Sequence, residues 1–234
     1  MENRKESTME PELASTKAKE IHDHVPPDYY DQVRIQDNFV QYYWHKKRFE
    51  TITAMIEKSS RRILDIGCNG GTFSKIIKDA AGKANLIGID INKQSVKYAV
   101  YKNNGITFLV ADGQKLPFKN NSFDLVTCLE MLEHVPSPEL VINEVNRCLD
   151  KDGQIILLVP NSVNFLFRII WYAWTNLGKG RIWNEAHLND FDEEQLLTII
   201  LKFGFELIKK KNILHGMLIA IKARKSHVSN STLK

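Results

Sequence analysis

Cysteine is scarce in this chain, with three among 234 residues: Cys68, Cys128 and Cys148. They are odd in number and far apart, with no CxxC and no Cys/His pairing at zinc spacing. Neither a disulfide framework nor a zinc finger can be built from them, and they suit a reducing compartment, where Cys is a small apolar residue. No uninterrupted apolar run reaches the roughly 20 residues a membrane span needs. The greasiest stretch, NFLFRIIWYAWTNL at 164–177, is broken by Asn164, Arg168, Thr175 and Asn176. The first 25 residues mix charges and hold no apolar core, which excludes a secretory signal and reads as a disordered arm. A strong charge of one sign is also missing. The formal net charge of +4 is too small to hold nucleic acid by bulk electrostatics. Much of the excess sits in KKK at 209–211 and KARK at 222–225, read as a solvated face leading into a flexible tail over 225–234. Together these absences predict a cytoplasmic protein.

What is present is an alternation of short apolar runs and amphipathic segments. Helical spacing of Phe39, Val40, Tyr43, Phe49, Ile52, Met55 and Ile56 predicts a helix or helix pair over 37–58. Strands follow at RRILDIG, NLIGID, ITFLVA, SFDLVTCLE and IILLVP, separated by helices. The helix after SFDLVTCLE should start with Ser137 as cap, Pro138 in the first turn and Glu139 at the positive end of the dipole. Gly153 should break the pattern before IILLVP. A helix near 192–203 precedes two closing strands, FELIKK and GMLIAIKA. Such alternation predicts an α/β fold with a doubly wound, mostly parallel seven-stranded sheet. The last two strands are joined by only KNILH, too short for a parallel crossover, so the final strand should run antiparallel. The expected organisation is one domain over 26–224, with an aromatic lid or insertion at 161–190.

In open α/β sheets ligands bind beyond the carboxyl ends of the strands, near the switch point. Here those ends are rich in chemistry. The first runs into DIGCNGG, whose glycines Gly67, Gly70 and Gly71 let backbone approach a ligand before a helix N-terminus. The second ends in Asp90, placed to accept from both hydroxyls of a ribose. The third ends in ADG, where Asp112 could accept from an adenine amino group, and the fourth in CLEMLEHV. A nicotinamide dehydrogenase is the first rival, but GxGxxG fails: its positions fall on Gly67, Asn69 and Thr72. Asp65 before the turn favours a cofactor with a positive centre and no pyrophosphate, which argues for S-adenosylmethionine.

With ILDIGCNGG, IGID, ADGQKLPFKNNSFDLVTCLEMLEHVPSP and LDKDGQIILLVPN in order, the chain resembles the class I S-adenosylmethionine-dependent methyltransferases over about 60–160. TCLEMLEHVPSP, and WHKKRF with Arg48, are similar to the O-methyltransferases of ubiquinone biosynthesis. The resemblance implies that Asp65, Gly67 and Gly71 shape the methionine end of a cofactor site and that Arg48 reaches the cofactor carboxylate. It further implies Asp90 and Ile91 at the ribose, Asp112 and Gly113 at the adenine, and Leu129 beside the sulfonium. Asn69 departs from the family's usual glycine, but Asn tolerates left-handed backbone.

Glu130, Glu133 and His134 cluster where a methyl acceptor should sit, and three roles are open. His134, with Glu130 beside it, could form the catalytic pair, since imidazole titrates near neutrality. The trio could hold a divalent cation such as Mg2+, as the resemblance implies. Or it could be structural. His187 of HLNDF is a candidate positioning or lid residue. The aromatic stretch around Trp171, Trp174 and Trp183, flanked by Arg168, Lys179 and Arg181, could be a core helix, a lid over an apolar acceptor, or a membrane-surface contact over 164–183. Gly178 and Gly180 could hinge it. The expected activity is O-methylation of a small apolar or lipid-like hydroxyl. The alternatives are a sugar, glycoconjugate or N-methyltransferase, or a regulatory protein that binds S-adenosylmethionine without turnover.

Overall fold

The computed structural model describes residues 26–29, 31–32, 39–177, 180 and 186–226. The arm at 1–25, the end of the tail at 227–234, and the expected roles of Gly178, Lys179, Arg181 and Trp183 lie outside the described residues. Elements follow in the order α1 (Phe39–Thr53), β1 (Arg62–Ile66), α2 (Thr72–Ala81), β2 (Asn85–Asp90), α3 (Lys93–Lys102) and β3 (Thr107–Val110). Then come β4 (Phe123–Leu129), a 3-10 turn (Leu132–His134), α4 (Pro138–Cys148), β5 (Leu149–Pro160) and α5 (Phe165–Leu177). The last elements are α6 (Glu193–Lys202), β6 (Phe205–Ile213) and β7 (Leu218–Lys225).

The seven strands form one sheet in the order β3-β2-β1-β4-β5-β7-β6. The pairs β2–β3, β1–β2, β1–β4 and β4–β5 are parallel. β7 runs antiparallel to both β5 and β6, as the short link requires. That link is made by Leu214, His215 and Gly216, all with positive φ. Successive side chains of a central strand point to opposite faces, and both faces are buried here. Ile63 packs with Ile52, Ile77, Leu125 and Ile156 on one side, whereas Leu64 packs with Val126, Ile142 and Val145 on the other. The chain reverses its winding between β1 and β4, which sets the switch point beside the carboxyl end of β1.

Local chemistry fixes the helix starts. Asn92 accepts from the Ser95 amide at 2.8 Å ahead of α3, and Asp192 with Gln195 closes a reciprocal capping box on α6. Ser137 precedes α4 with extended backbone, but its hydroxyl makes no cap bond; Pro138 and Glu139 alone match the expected start. Gly153 does not break the pattern. β5 begins at Leu149, because Leu149 pairs with Phe123 across an irregularity and Gly153 leaves room for the Leu149 side chain. At the other end Lys225 is still strand, its ammonium bonded to the carbonyls of Asn146 (2.7 Å) and Leu149 (3.0 Å), so the ordered sheet extends past the expected tail boundary.

Candidate active site

The carboxyl ends of β1, β2, β3 and β4 surround a cavity of about 90 Å³. Gly67 enters it with φ +75, and a Cβ there would strike the Met131 side chain. Asp90 uses one carboxylate oxygen on the Asn69 amide and the other on the Asn92 amide, each at 2.8 Å. Asn69 holds φ +46, so the turn survives without the glycine at that position. Ile91, Asp112, Gly113 and Leu129 also line the cavity. Asp112 additionally accepts from the Gln114 amide at 2.8 Å, so it forms the turn after β3 while bordering the space. The lining includes Asp90, Asp112 and Glu130 but no Lys or Arg. Such a wall suits a ligand with cationic groups and would repel a pyrophosphate.

Two expected members of this site face elsewhere. Asp65 is 2% exposed and lies under the turn, accepting from Ser74 Oγ (2.6 Å) and Thr127 Oγ1 (2.7 Å). Burial pushes its carboxyl up to about 6, against the pull of those two hydroxyls. It ties α2 and β4 to β1 and does not line the cavity. Gly71 starts α2 with φ +79 and gives room to Asn103, Phe108 and Ala99, a packing role on the α3 side.

Beside the first cavity lies a second of about 260 Å³, walled by Tyr29, Trp44, Phe167, Trp171, Trp174 and His187. Glu130 and His134 border both spaces. Glu130 sits at φ +52, a left-handed conformation rare for a side-chain-bearing residue. Its carboxylate is ion-paired with Arg48. Arg48 is buried, lies over the Phe73 ring at 5.1 Å and donates to His45 Nδ1 at 3.2 Å. It therefore walls the second cavity and meets Glu130, whereas a contact with the methionine end of a cofactor was expected.

The 3-10 turn is clamped by a segment whose role the sequence did not disclose. The Glu133 carbonyl accepts from the amides of Leu188 (2.7 Å) and Asn189 (3.0 Å), and Asn189 Nδ2 donates to the Val135 carbonyl at 2.6 Å. His134 Nδ1 lies 2.7 Å from the Ala186 carbonyl. A carbonyl can only accept, so Nδ1 carries the proton and, in the neutral ring, Nε2 carries the lone pair. HLND is thus the motif that docks on EMLEHV, a pairing legible only once the fold joins them. His187 stacks on Trp171 at 4.3 Å and stands 5.1 Å from His134, and burial depresses its pKa to about 4.

Glu133 is 2% exposed, and its Oε2 has no hydrogen-bond partner among the described residues. Burial pushes its pKa up to about 8, so it keeps its proton at neutral pH. The grouping of metal-ligand type is Glu133, His134 and His187, with donor atoms within 4.8 Å of one another. Glu130 is not part of it. Two imidazole nitrogens and one carboxyl oxygen are a poor match for Mg2+, which takes oxygen ligands.

Residues 64–157 match the family described as a methyltransferase domain. Over 148 residues the chain is 35% identical to a ubiquinone biosynthesis O-methyltransferase of Dechloromonas aromatica, covering 57% of this chain and 60% of that protein. The chain spans about three fifths of the length of the first curated relatives it matches. Its fold superposes on a methyltransferase from Thermotoga maritima with TM-score 0.69 at 19% identity, covering 89% of this chain and 100% of that one. A magnesium protoporphyrin IX methyltransferase from Synechocystis, solved with S-adenosylhomocysteine, also gives 0.69, at 20% identity over 90% and 99% of the two chains.

Proposed function

We propose that this chain, which carries a class I S-adenosylmethionine-dependent methyltransferase domain, methylates the oxygen of a small apolar or lipid-like hydroxyl acceptor. The observation that carries the reading is the shared wall, since Glu130 and His134 border both the acid-lined cavity and the aromatic one. The first cavity suits S-adenosylmethionine: a glycine cradle, a carboxylate at the ribose position and no Lys or Arg in the lining. Bound there, the cofactor supplies a methyl group on positively charged sulfur. Asp90 and Ile91 would hold the ribose, Asp112 and Gly113 the adenine, with Gly67 and Leu129 beside the methionine end.

The second cavity holds the acceptor. Its rings would exclude water and orient the acceptor toward the wall it shares with the first cavity, and such positioning can supply much of the rate enhancement of a displacement. His134 Nε2 would take the proton of the acceptor hydroxyl, leaving its oxygen free to receive the methyl group the cofactor would supply. Glu133, protonated, donates a hydrogen bond to the acceptor. The Arg48–Glu130 pair keeps the boundary between the cavities rigid. A Mg2+ ion at Glu130, Glu133 and His134 forms no part of the proposal, because Glu130 is ion-paired with Arg48 and lies outside the Glu133, His134 and His187 grouping.

A lipid-like acceptor would arrive from a membrane surface, and α5 supports that route. No helix among the described residues is long and apolar enough to cross a membrane. Yet Phe165, Ile169 and Tyr172 stand exposed on α5, outside the cavity that Phe167, Trp171 and Trp174 wall. The test is a screen with labelled S-adenosylmethionine against quinone-precursor, lipid and sugar fractions, run beside His134→Ala. Label should enter a hydroxyl compound of the apolar fractions. The variant should lose about 10²- to 10⁴-fold in turnover with cofactor affinity held within a factor of about two. Label only in sugars, or a variant with normal turnover, sinks the reading.

A further inference from the structure

The three glycines of the turn after β1 serve three different neighbours. Gly67 faces the first cavity, and Gly71 makes room for α3. Gly70 does neither. A Cβ there would overlap the carbonyl oxygen of Pro27 and press on the Tyr98 ring, so Gly70 admits the chain segment that crosses it. Within that segment, described at Pro26–Tyr29 and at Asp31 and Gln32, the amides of Asp31 and Gln32 both donate to the Asp28 carbonyl at 2.9 Å. The segment is held at two points. At one, the Asp31 carboxylate accepts from Thr72 Oγ1 (3.0 Å), the Tyr98 hydroxyl (3.0 Å) and the Lys102 ammonium, which also donates to Thr72 Oγ1 at 3.1 Å. Thr72 is itself part of the first cavity's wall. At the other, two positions earlier, Tyr29 walls the second cavity and packs with Ala186, Trp171 and Trp174.

We propose that Asp31 is a positioning residue: by latching onto Thr72, Tyr98 and Lys102 it holds the Pro26–Gln32 segment as a strap across the glycine turn, retaining the cofactor and bringing Tyr29 into the acceptor wall. The inference rests on the cofactor reading given above. Three polar groups from two separate helices, Thr72 of α2 with Tyr98 and Lys102 of α3, converge on one carboxylate, a geometry that a surface ion pair would not need. Burial acts to raise the Asp31 pKa, but the hydrogen bonds from Lys102 and Thr72 outweigh it and hold the carboxyl below its usual range. The strap walls the second cavity through Tyr29 and reaches the first through Thr72, whose hydroxyl donates to Asp31. Closing over the cofactor therefore also completes the acceptor wall, which couples the two bindings.

The probe is S-adenosylhomocysteine, followed by stopped-flow displacement from the full chain. Asp31→Asn should raise its dissociation rate about tenfold, the effect of losing one charge-assisted bond at roughly 1.4 kcal/mol. The association rate should hold or rise. Gly70→Ala disturbs the strap from the opposite side, chiefly at the Pro27 carbonyl and also at the Tyr98 ring, while leaving the Asp31 carboxylate, Thr72 and Lys102 unchanged, and should raise the same rate. A merely structural role would lower the fraction of chain that binds, leaving the dissociation rate of the rest as it was. Wild-type dissociation rates in both variants overturn the latch. A wild-type chain that binds no S-adenosylhomocysteine overturns the cofactor reading, and the latch with it.

Discussion

Asp90 spends both carboxylate oxygens on backbone amides, one in the glycine turn and one ahead of α3, so the acid at the cavity also shapes the loops beside it. Asp90→Ala should weaken S-adenosylhomocysteine binding about 10- to 100-fold, as expected when one charge-assisted hydrogen bond at about 1.5–3 kcal/mol is lost. Calorimetry reads this directly, and an unchanged affinity removes Asp90 from the site. The position of Asp90 was legible in the sequence because a strand end followed by a helix cap is a local pattern. Asp65 was legible as an acid near the turn, but not in its direction. Ile66 reaches the cavity while Asp65, one residue earlier, turns under α2 to Ser74. Which hydroxyl waits beneath a strand depends on α2 and β4, and no spacing within DIGCNGG records that.

At the scale of elements, α5 is the most informative. Its polar residues Arg168, Thr175 and Asn176 do not mark its solvent face, since Thr175 is buried while Phe165 stands exposed. The stretch at 164–177 was therefore legible as a helix that cannot span a bilayer, but not as a helix with two apolar jobs. Phe167, Trp171 and Trp174 wall the cavity, whereas Phe165 is 77% and Tyr172 66% exposed. Triple replacement of Phe165, Ile169 and Tyr172 by Ser should abolish most flotation with phosphatidylglycerol vesicles. Trp171→Ser should leave flotation largely intact while weakening acceptor binding, since that ring faces inward and carries His187. Flotation that follows Trp171 and ignores the triple variant would contradict the outward face.

For the whole molecule, the buried acid in the second cavity couples stability to pH. The folded chain holds a proton on Glu133 up to about pH 8, whereas the unfolded chain releases it near 4.5. The unfolded state thus binds fewer protons between these values, and stability falls as pH rises through that window. Glu133→Gln has no proton to release. It should flatten the profile by up to about 1.4 kcal/mol per pH unit between 4.5 and 8, measured by urea denaturation at pH 5 and pH 8. Equal slopes in the two proteins would place the Glu133 proton elsewhere. The sheet itself was largely legible: seven apolar runs gave seven strands, and a link too short to cross over gave the reversed one. The spatial order of the strands was not, because pairing between distant segments leaves no mark on either segment alone.

That order has a consequence for how the chain is assembled. β7 follows β6 in sequence yet lies between β5 and β6. Until residues 218–225 are available, β5 exposes an open edge and β6 has no neighbour in the sheet. During synthesis the nascent chain would hold the cofactor half nearly complete while β6 waits, its lysines at 209–211 discouraging premature pairing with other chains. The strand that closes the sheet is inserted like a keystone, and a chain cut before Leu218 should remain open and aggregate.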